Sequence, residues 1–85
     1  MNIQKKPPIF SNQAARKIKG MALLDKASIK KSILGIPKGD IKPLKGIKGS
    51  YRLRDGKWRI IFSWVDKEQV FVEKIDVRGQ IYKGV

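Results

Sequence analysis

Arg52 and Arg54 precede Asp55-Gly56 and Lys57 and Arg59 follow it, with every second residue on each side carrying positive charge. Read as two strands joined by a tight type I′ loop, for which Asp-Gly supplies the positive φ angles, residues 50–65 place Arg54 opposite Lys57 and Arg52 opposite Arg59. Side chains alternate across a sheet, so the four cations share one face. Like charges facing each other across strands repel and contribute nothing to a fold. A solvated outer face in a lysine-rich chain would carry them without purpose. Cations held at fixed spacing on a rigid element would instead form a preorganised site for a polyanion. The lack of any acid on that hairpin face favours the second reading.

The surrounding sequence extends this pattern. Residues 35–49, GIPKGDIKPLKGIKG, have no helical period and read as a loop or an irregular edge strand, and Lys45 and Lys48 stand just before the hairpin, where they would widen its footprint. After a turn at residues 66–69, VFVEKIDV reads as a third strand. Pairing Val65 with Val70 puts Lys74 and Asp76 on the cationic face and Asp76 opposite Arg59, where a carboxylate would orient or partly neutralise the guanidinium. A slip of one residue would reverse these faces. Arg78-Gly79 ends the strand, and a last short segment carries Tyr82, which packs in the core or stacks on a base.

Composition narrows the partner. The 85 residues carry 20 Lys and Arg against 7 Asp and Glu, a formal charge of +13, which is the balance of nucleic-acid binders. It would also favour an acidic protein partner. That length makes one domain with a modest core. No basic amphipathic helix or long apolar run suggests a membrane. The chain has no cysteine and no histidine, so disulfides and thiolate metal sites are excluded, any acid or base must be Lys, Arg, Tyr, Asp or Glu, and metal chemistry is disfavoured. No cofactor is expected. With no leader or membrane segment in the first ten residues, the expected compartment is the cytoplasm.

The elements that must position these residues follow from periodicity. Pro7-Pro8 allows at most a short edge strand near the start. Ser11 reads as an N-cap for a helix carrying Ala14, Ile18 and Met21 and ending near Gly20. A second helix is expected from Asp25, with Leu24 and Ile29 as a hydrophobic staple, Ile29, Ile33 and Ile36 as its buried stripe, and Gly35 and Pro37 as its stop. The pair should pack on the apolar hairpin face of Tyr51, Leu53, Trp58, Ile60, Phe62 and Trp64, which assigns those aromatics to the core.

In order and spacing, Leu44-Lys45-Gly46, Tyr51-Arg52-Leu53-Arg54, Trp58-Arg59-Ile60-Ile61-Phe62 and Arg78-Gly79-Gln80-Ile81-Tyr82 resemble the RelE/ParE superfamily of bacterial type II toxins, over roughly residues 18–83. The resemblance implies an α+β fold, a two-helix hairpin packed on a small antiparallel sheet in a single domain, and a cognate antitoxin as partner. RelE-like members cleave mRNA in the ribosomal A site without metal, by attack of a ribose 2′-OH on the adjacent phosphate. ParE-like members inhibit DNA gyrase. The RelE-like branch fits better, and it implies catalytic roles for Arg52, Arg54, Arg59, Arg78 and Tyr82, with Lys45, Lys48, Lys57 and Lys74 contributing to RNA binding and Asp76 orienting Arg59. Where some members have lysines this chain has Arg52 and Arg54, and arginine stays protonated. Lys45, Lys48, Lys57, Asp76 or the ribosome would then take the proton. A basic RNA-binding relative without activity is the remaining alternative.

Overall fold

A computed structural model describes residues 2–77. They form β1 (Ile9–Phe10), α1 (Asn12–Lys19), α2 (Leu23–Leu34), β2 (Asp40–Pro43), β3 (Ser50–Asp55), β4 (Trp58–Trp64) and β5 (Val70–Val77). The five strands make one sheet in the order β1-β5-β4-β3-β2. Strands β2 to β5 are antiparallel neighbours, while β1 runs parallel to β5, so the sheet is mixed at one edge.

That edge shows how the chain compensates for its prolines. Pro7 and Pro8 cannot donate to a ladder, and β1 is two residues long. The first turn of α1 takes over where β1 stops. Ser11 N donates to Val72 O at 2.9 Å, Ser11 Oγ to Glu73 O at 2.6 Å, and Gln13 exchanges bonds with both backbone groups of Ile75, at 2.9 and 3.0 Å. Ser11 Oγ also accepts from Ala14 N at 3.1 Å, which makes it the expected N-cap. One residue therefore starts the helix and fastens it to the sheet edge.

Helix α2 begins at Leu23, two residues before the expected Asp25, and its N-cap Ala22 makes no side-chain bond. Asp25 instead sits in the first turn, where a carboxylate complements the helix dipole. Leu24 is 87% exposed, so the expected staple does not form. Gly35 closes the helix as expected. Gln4 Nε2 reaches the C-terminal end, donating to Ile33 O at 2.7 Å and Ile36 O at 3.0 Å, which satisfies carbonyls that the helix cannot.

The core is one cluster between the helix pair and one sheet face. It contains Ala14, Ile18, Ile29, Ile33 and Ile36 from the helical half, and Leu53, Ile60, Phe62, Val70, Val72 and Ile75 from the sheet, with Tyr51, Trp58 and Trp64 packed against it. The expected apolar face is therefore the one buried.

Register differs from expectation at two turns. The hairpin loop is Gly56-Lys57, with Gly56 at φ 58°, and Asp55 pairs with Trp58 as the last residue of β3. Asp55 is held there by α2, since its carboxylate accepts from Ser28 Oγ at 3.0 Å and Ser32 Oγ at 3.1 Å. The partner of each residue moves by two, so the faces survive, but Arg54 now faces Arg59 and Arg52 faces Ile61. At the next turn Trp64, not Val65, pairs with Val70, and a register shift between Ile61 and Phe62 returns Asp76 to its place opposite Arg59. The shift gives β5 one extra residue at Glu73, which changes the phase of its alternation, so Val70 and Val72 before it and Ile75 after it all face the core while Lys74 and Asp76 face outward. Asp55→Ala should lower stability by about 1–2 kcal/mol, as two hydroxyl bonds to a carboxylate are lost. Urea unfolding checks this, and Ser28→Ala with Ser32→Ala should reproduce most of the effect.

The N-terminal segment is tied to the turn before β5 by Lys6 Nζ, 3.0 Å from Asp66 Oδ2. Hydrogen bonding from Glu68 N, then from Lys6, holds the Asp66 carboxyl below the usual range, and the same partner raises Lys6. A lowered carboxylate pKa means the contact is in place above the usual carboxylate range, about pH 4, and is lost as the pH falls through the lowered value. Amide exchange at Glu68, whose N–H bonds Asp66 Oδ1 at 2.7 Å, should accelerate across that acidic window relative to Ile75.

Candidate functional site

The sheet face turned away from the helices carries the charged residues in two cross-strand rows. The first runs Asp40, Arg54, Arg59, Asp76 and the second Lys42, Arg52, Ile61, Lys74. Each row exists because β3 and β4 alternate in phase and the edge strand β2 adds its own alternation, Ile41 inward with Asp40 and Lys42 outward. The expected cluster Arg52, Arg54 and Arg59 is thus assembled, but acids flank it on both sides.

The three arginines stand in different environments. Arg54 is exposed. The Arg52 side chain is 18% exposed, with Nη2 3.4 Å from Asp40 Oδ1, and its buried Nε has no hydrogen-bond partner. Arg59 is only 5% exposed, and its Nη1 donates to Gly56 O at 2.8 Å and Trp58 O at 3.0 Å. Arg59 therefore helps to hold the hairpin loop that presents its neighbours. An outer-face position implies from sequence that truncating Arg59 would spare the fold, and its burial overturns that. Arg59→Ala should cost about 1–3 kcal/mol through loss of charge-assisted bonds to the turn, read as a lower thermal midpoint. Arg52 and Arg54 are the cleaner probes of function.

The other expected site residues are distributed more widely. Asp76 Oδ1 forms an ion pair with Lys17 Nζ at 3.3 Å and accepts from Val77 N at 2.9 Å, so a cation of α1 faces the carboxylate that stands opposite Arg59 in the ladder. Lys74 lies beside Ile61, half-buried. Lys57 leaves this face, because it occupies the loop, with Nζ 5.4 Å from the Trp58 ring centre and 3.9 Å from Asp25 of α2. Lys45 and Lys48 are exposed in the segment between β2 and β3, at the Ser50 end of β3 and away from the loop at Gly56. A shallow groove there is lined by Leu44, Ile47, Lys48 and Tyr51 among others. Arg78 and Tyr82 lie outside the described residues.

Asp40 is the site residue that sequence reading missed. Its signal was the alternation Asp40-Ile41-Lys42, which only becomes a strand because β3 offers it a partner. Among the described residues no group of three or more His, Cys, Asp or Glu gathers in a way that could hold a metal ion. No helix there is long and apolar enough to cross a membrane.

Solved structures with the same arrangement come from toxin–antitoxin complexes. A chain of the RelB-RelE antitoxin–toxin complex from Methanococcus jannaschii superposes with a TM-score of 0.70 at 24% identity, over 87% of this chain and 94% of that one. The chain has a RelE-like fold. The archaeal RelE-RelB complex from Pyrococcus horikoshii OT3 gives 0.67 at 19% identity over 94% and 99% of the two chains, and the intact Escherichia coli RelBE complex 0.64 at 19% over 82% and 93%. No family model matches the sequence, and neither does any curated protein. With identities this low, the RelE-like fold fixes the scaffold, and chemistry has to be argued from the residues placed on it.

Proposed function

We propose that this chain is the toxin of a type II toxin–antitoxin system and acts as a ribosome-dependent mRNA endoribonuclease in the cytoplasm, restrained by a cognate antitoxin. The observation that carries this reading is the placement of Arg52, Arg54 and Arg59 on adjoining strands of one rigid sheet face within a RelE-like fold. In the cut, the ribose 2′-oxygen bonds to the adjacent phosphorus and the bond to the 5′-oxygen breaks. The 2′ proton leaves to a base and a proton reaches the departing 5′-oxygen. Arg52 and Arg54 stabilise the extra negative charge of the pentavalent phosphorus, where fixed cations have the most effect. Neither takes the proton, since guanidinium stays protonated at neutral pH. Lys45, Lys48, Lys74 and the C-terminal Arg78 and Tyr82 add phosphate and base contacts in this reading. The proton acceptor is Asp76, a lysine or a group of the ribosome.

Expression in a bacterial host tests the reading. The intact chain should arrest growth and depress protein synthesis, and Arg52→Ala with Arg54→Ala should restore both at equal protein level. Arrest accompanied by DNA damage with synthesis intact would transfer the reading to gyrase.

A further inference from the structure

Helix α2 is apolar on two opposite faces. Ile29 and Ile33 are buried, as a helix covering a core requires. Yet Leu23 is 81% exposed, Leu24 87% and Leu34 64%. These leucines are not scattered. Leu23, Ala27, Lys30 and Leu34 follow one another in steps of four, three and four, and Leu24, Ala27, Lys31 and Leu34 in steps of three, four and three, the spacing of a seam between packed helices. Lysine stems can lie along such a seam while their amino groups stay in water. At its Leu34 end the stripe meets an apolar groove of about 170 Å³ lined by Pro8, Phe10, Lys30, Ile33 and Leu34, large enough for one aliphatic side chain. Nothing among the described residues covers that surface.

We infer that this outer face of α2 docks an acidic amphipathic α-helix of another protein, leucine-like side chains seated on Leu23, Leu24 and Leu34 and in the groove, with carboxylates against Lys30 and Lys31. Charge selects the occupant. The only acid on α2 is Asp25, which pairs with Lys57 at 3.9 Å, and the chain as a whole carries +13. A second copy would bring Lys30 and Lys31 against their own kind. The inference deepens the antitoxin part of the reading above by giving its partner a surface and a chemistry. It also separates two sites, because α2 lies on the opposite side of the sheet from Arg52 and Arg54. A helix seated there leaves the basic face uncovered.

The test uses the full chain and a synthetic helix of about three heptads with leucine at the seam and glutamate beside it, against a peptide of the same composition in shuffled order. Titration should show the ordered peptide binding at least tenfold tighter than the shuffled one. Leu23→Ser with Leu24→Ser should weaken it about tenfold or more, as two buried leucines are lost, and Leu34→Ser should weaken it independently. All three leucines are exposed, so the thermal midpoint should not fall. Lys30→Gln with Lys31→Gln should weaken binding and flatten its dependence on salt, whereas Arg52→Ala with Arg54→Ala should leave it unchanged. Equal binding of the shuffled peptide, indifference to the leucines, or loss through the arginine pair would overturn the inference. So would a dimer in sedimentation that dissolves with the leucine changes. None of these results depends on whether the chain cuts RNA, so the two readings fail separately.

Discussion

Phe62→Ala should cost about 3–5 kcal/mol, the range for removing a buried aromatic ring and leaving a cavity. Phe62 is 1% exposed, stacks on Tyr51 with ring centres 5.6 Å apart, and lies at the register shift, paired with Tyr51 on one side and Val72 on the other. Both neighbouring strands therefore lose a packing partner at once. A domain of this size commands only about 5–15 kcal/mol in total, so the variant should sit near its unfolding transition at room temperature. Urea unfolding should show a midpoint lowered by about a fifth or more, while Phe62→Leu, which fills most of the volume, should lose far less. A drop below about 1 kcal/mol would mean that the helix pair, and not the sheet centre, dominates the core.

The second large effect concerns chemistry. Arg52→Ala with Arg54→Ala should reduce message cleavage by about 10⁴-fold, since each fixed donor aimed at developing charge contributes on the order of 10²-fold or more. Stability should change by little. Arg54 is exposed, and the Arg52–Asp40 pair spans 3.4 Å with Asp40 48% exposed, the class of ion pair that contributes about 0–1 kcal/mol. Loss of activity at an unchanged thermal midpoint is what distinguishes a functional face from a structural one.

Much of the architecture was legible because it rests on local signals that act alone. Ser11 caps a helix wherever it precedes Ala14 and Ile18, Gly35 ends one, and the alternation from Tyr51 to Trp64 assigns core and outer faces whatever the register. The features that escaped depend on residues distant in sequence. Asp55 stays in β3 because Ser28 and Ser32 of α2 bind its carboxylate, and this moved the loop to Gly56-Lys57. Arg59 looked like an exposed cation because alternation reports the face and not the depth; in the fold it is buried, with its Nη1 donating to the backbone carbonyls of Gly56 and Trp58. Asp40 needed β2 to form before it could meet Arg52. The exposed stripe of α2 was hidden by its buried one, since the periodicity of Ile29, Ile33 and Ile36 accounts for the helix, places Leu24 in a staple and gives Leu23 and Leu34 no role. Only the position of the sheet on one side of the helix leaves all three leucines outside. In each case a one-dimensional pattern gave the element, and tertiary contacts decided what its side chains met.

The central claim is that the basic sheet face cuts message on the ribosome. Its most direct test is to add the purified chain to a cell-free translation reaction and map new 5′ ends on the message by primer extension, beside the variant with Arg52→Ala and Arg54→Ala. The account predicts ends that fall within codons, require translating ribosomes and disappear in the variant. Intact message with undiminished translation at saturating protein would contradict it and leave the arginines as a docking surface.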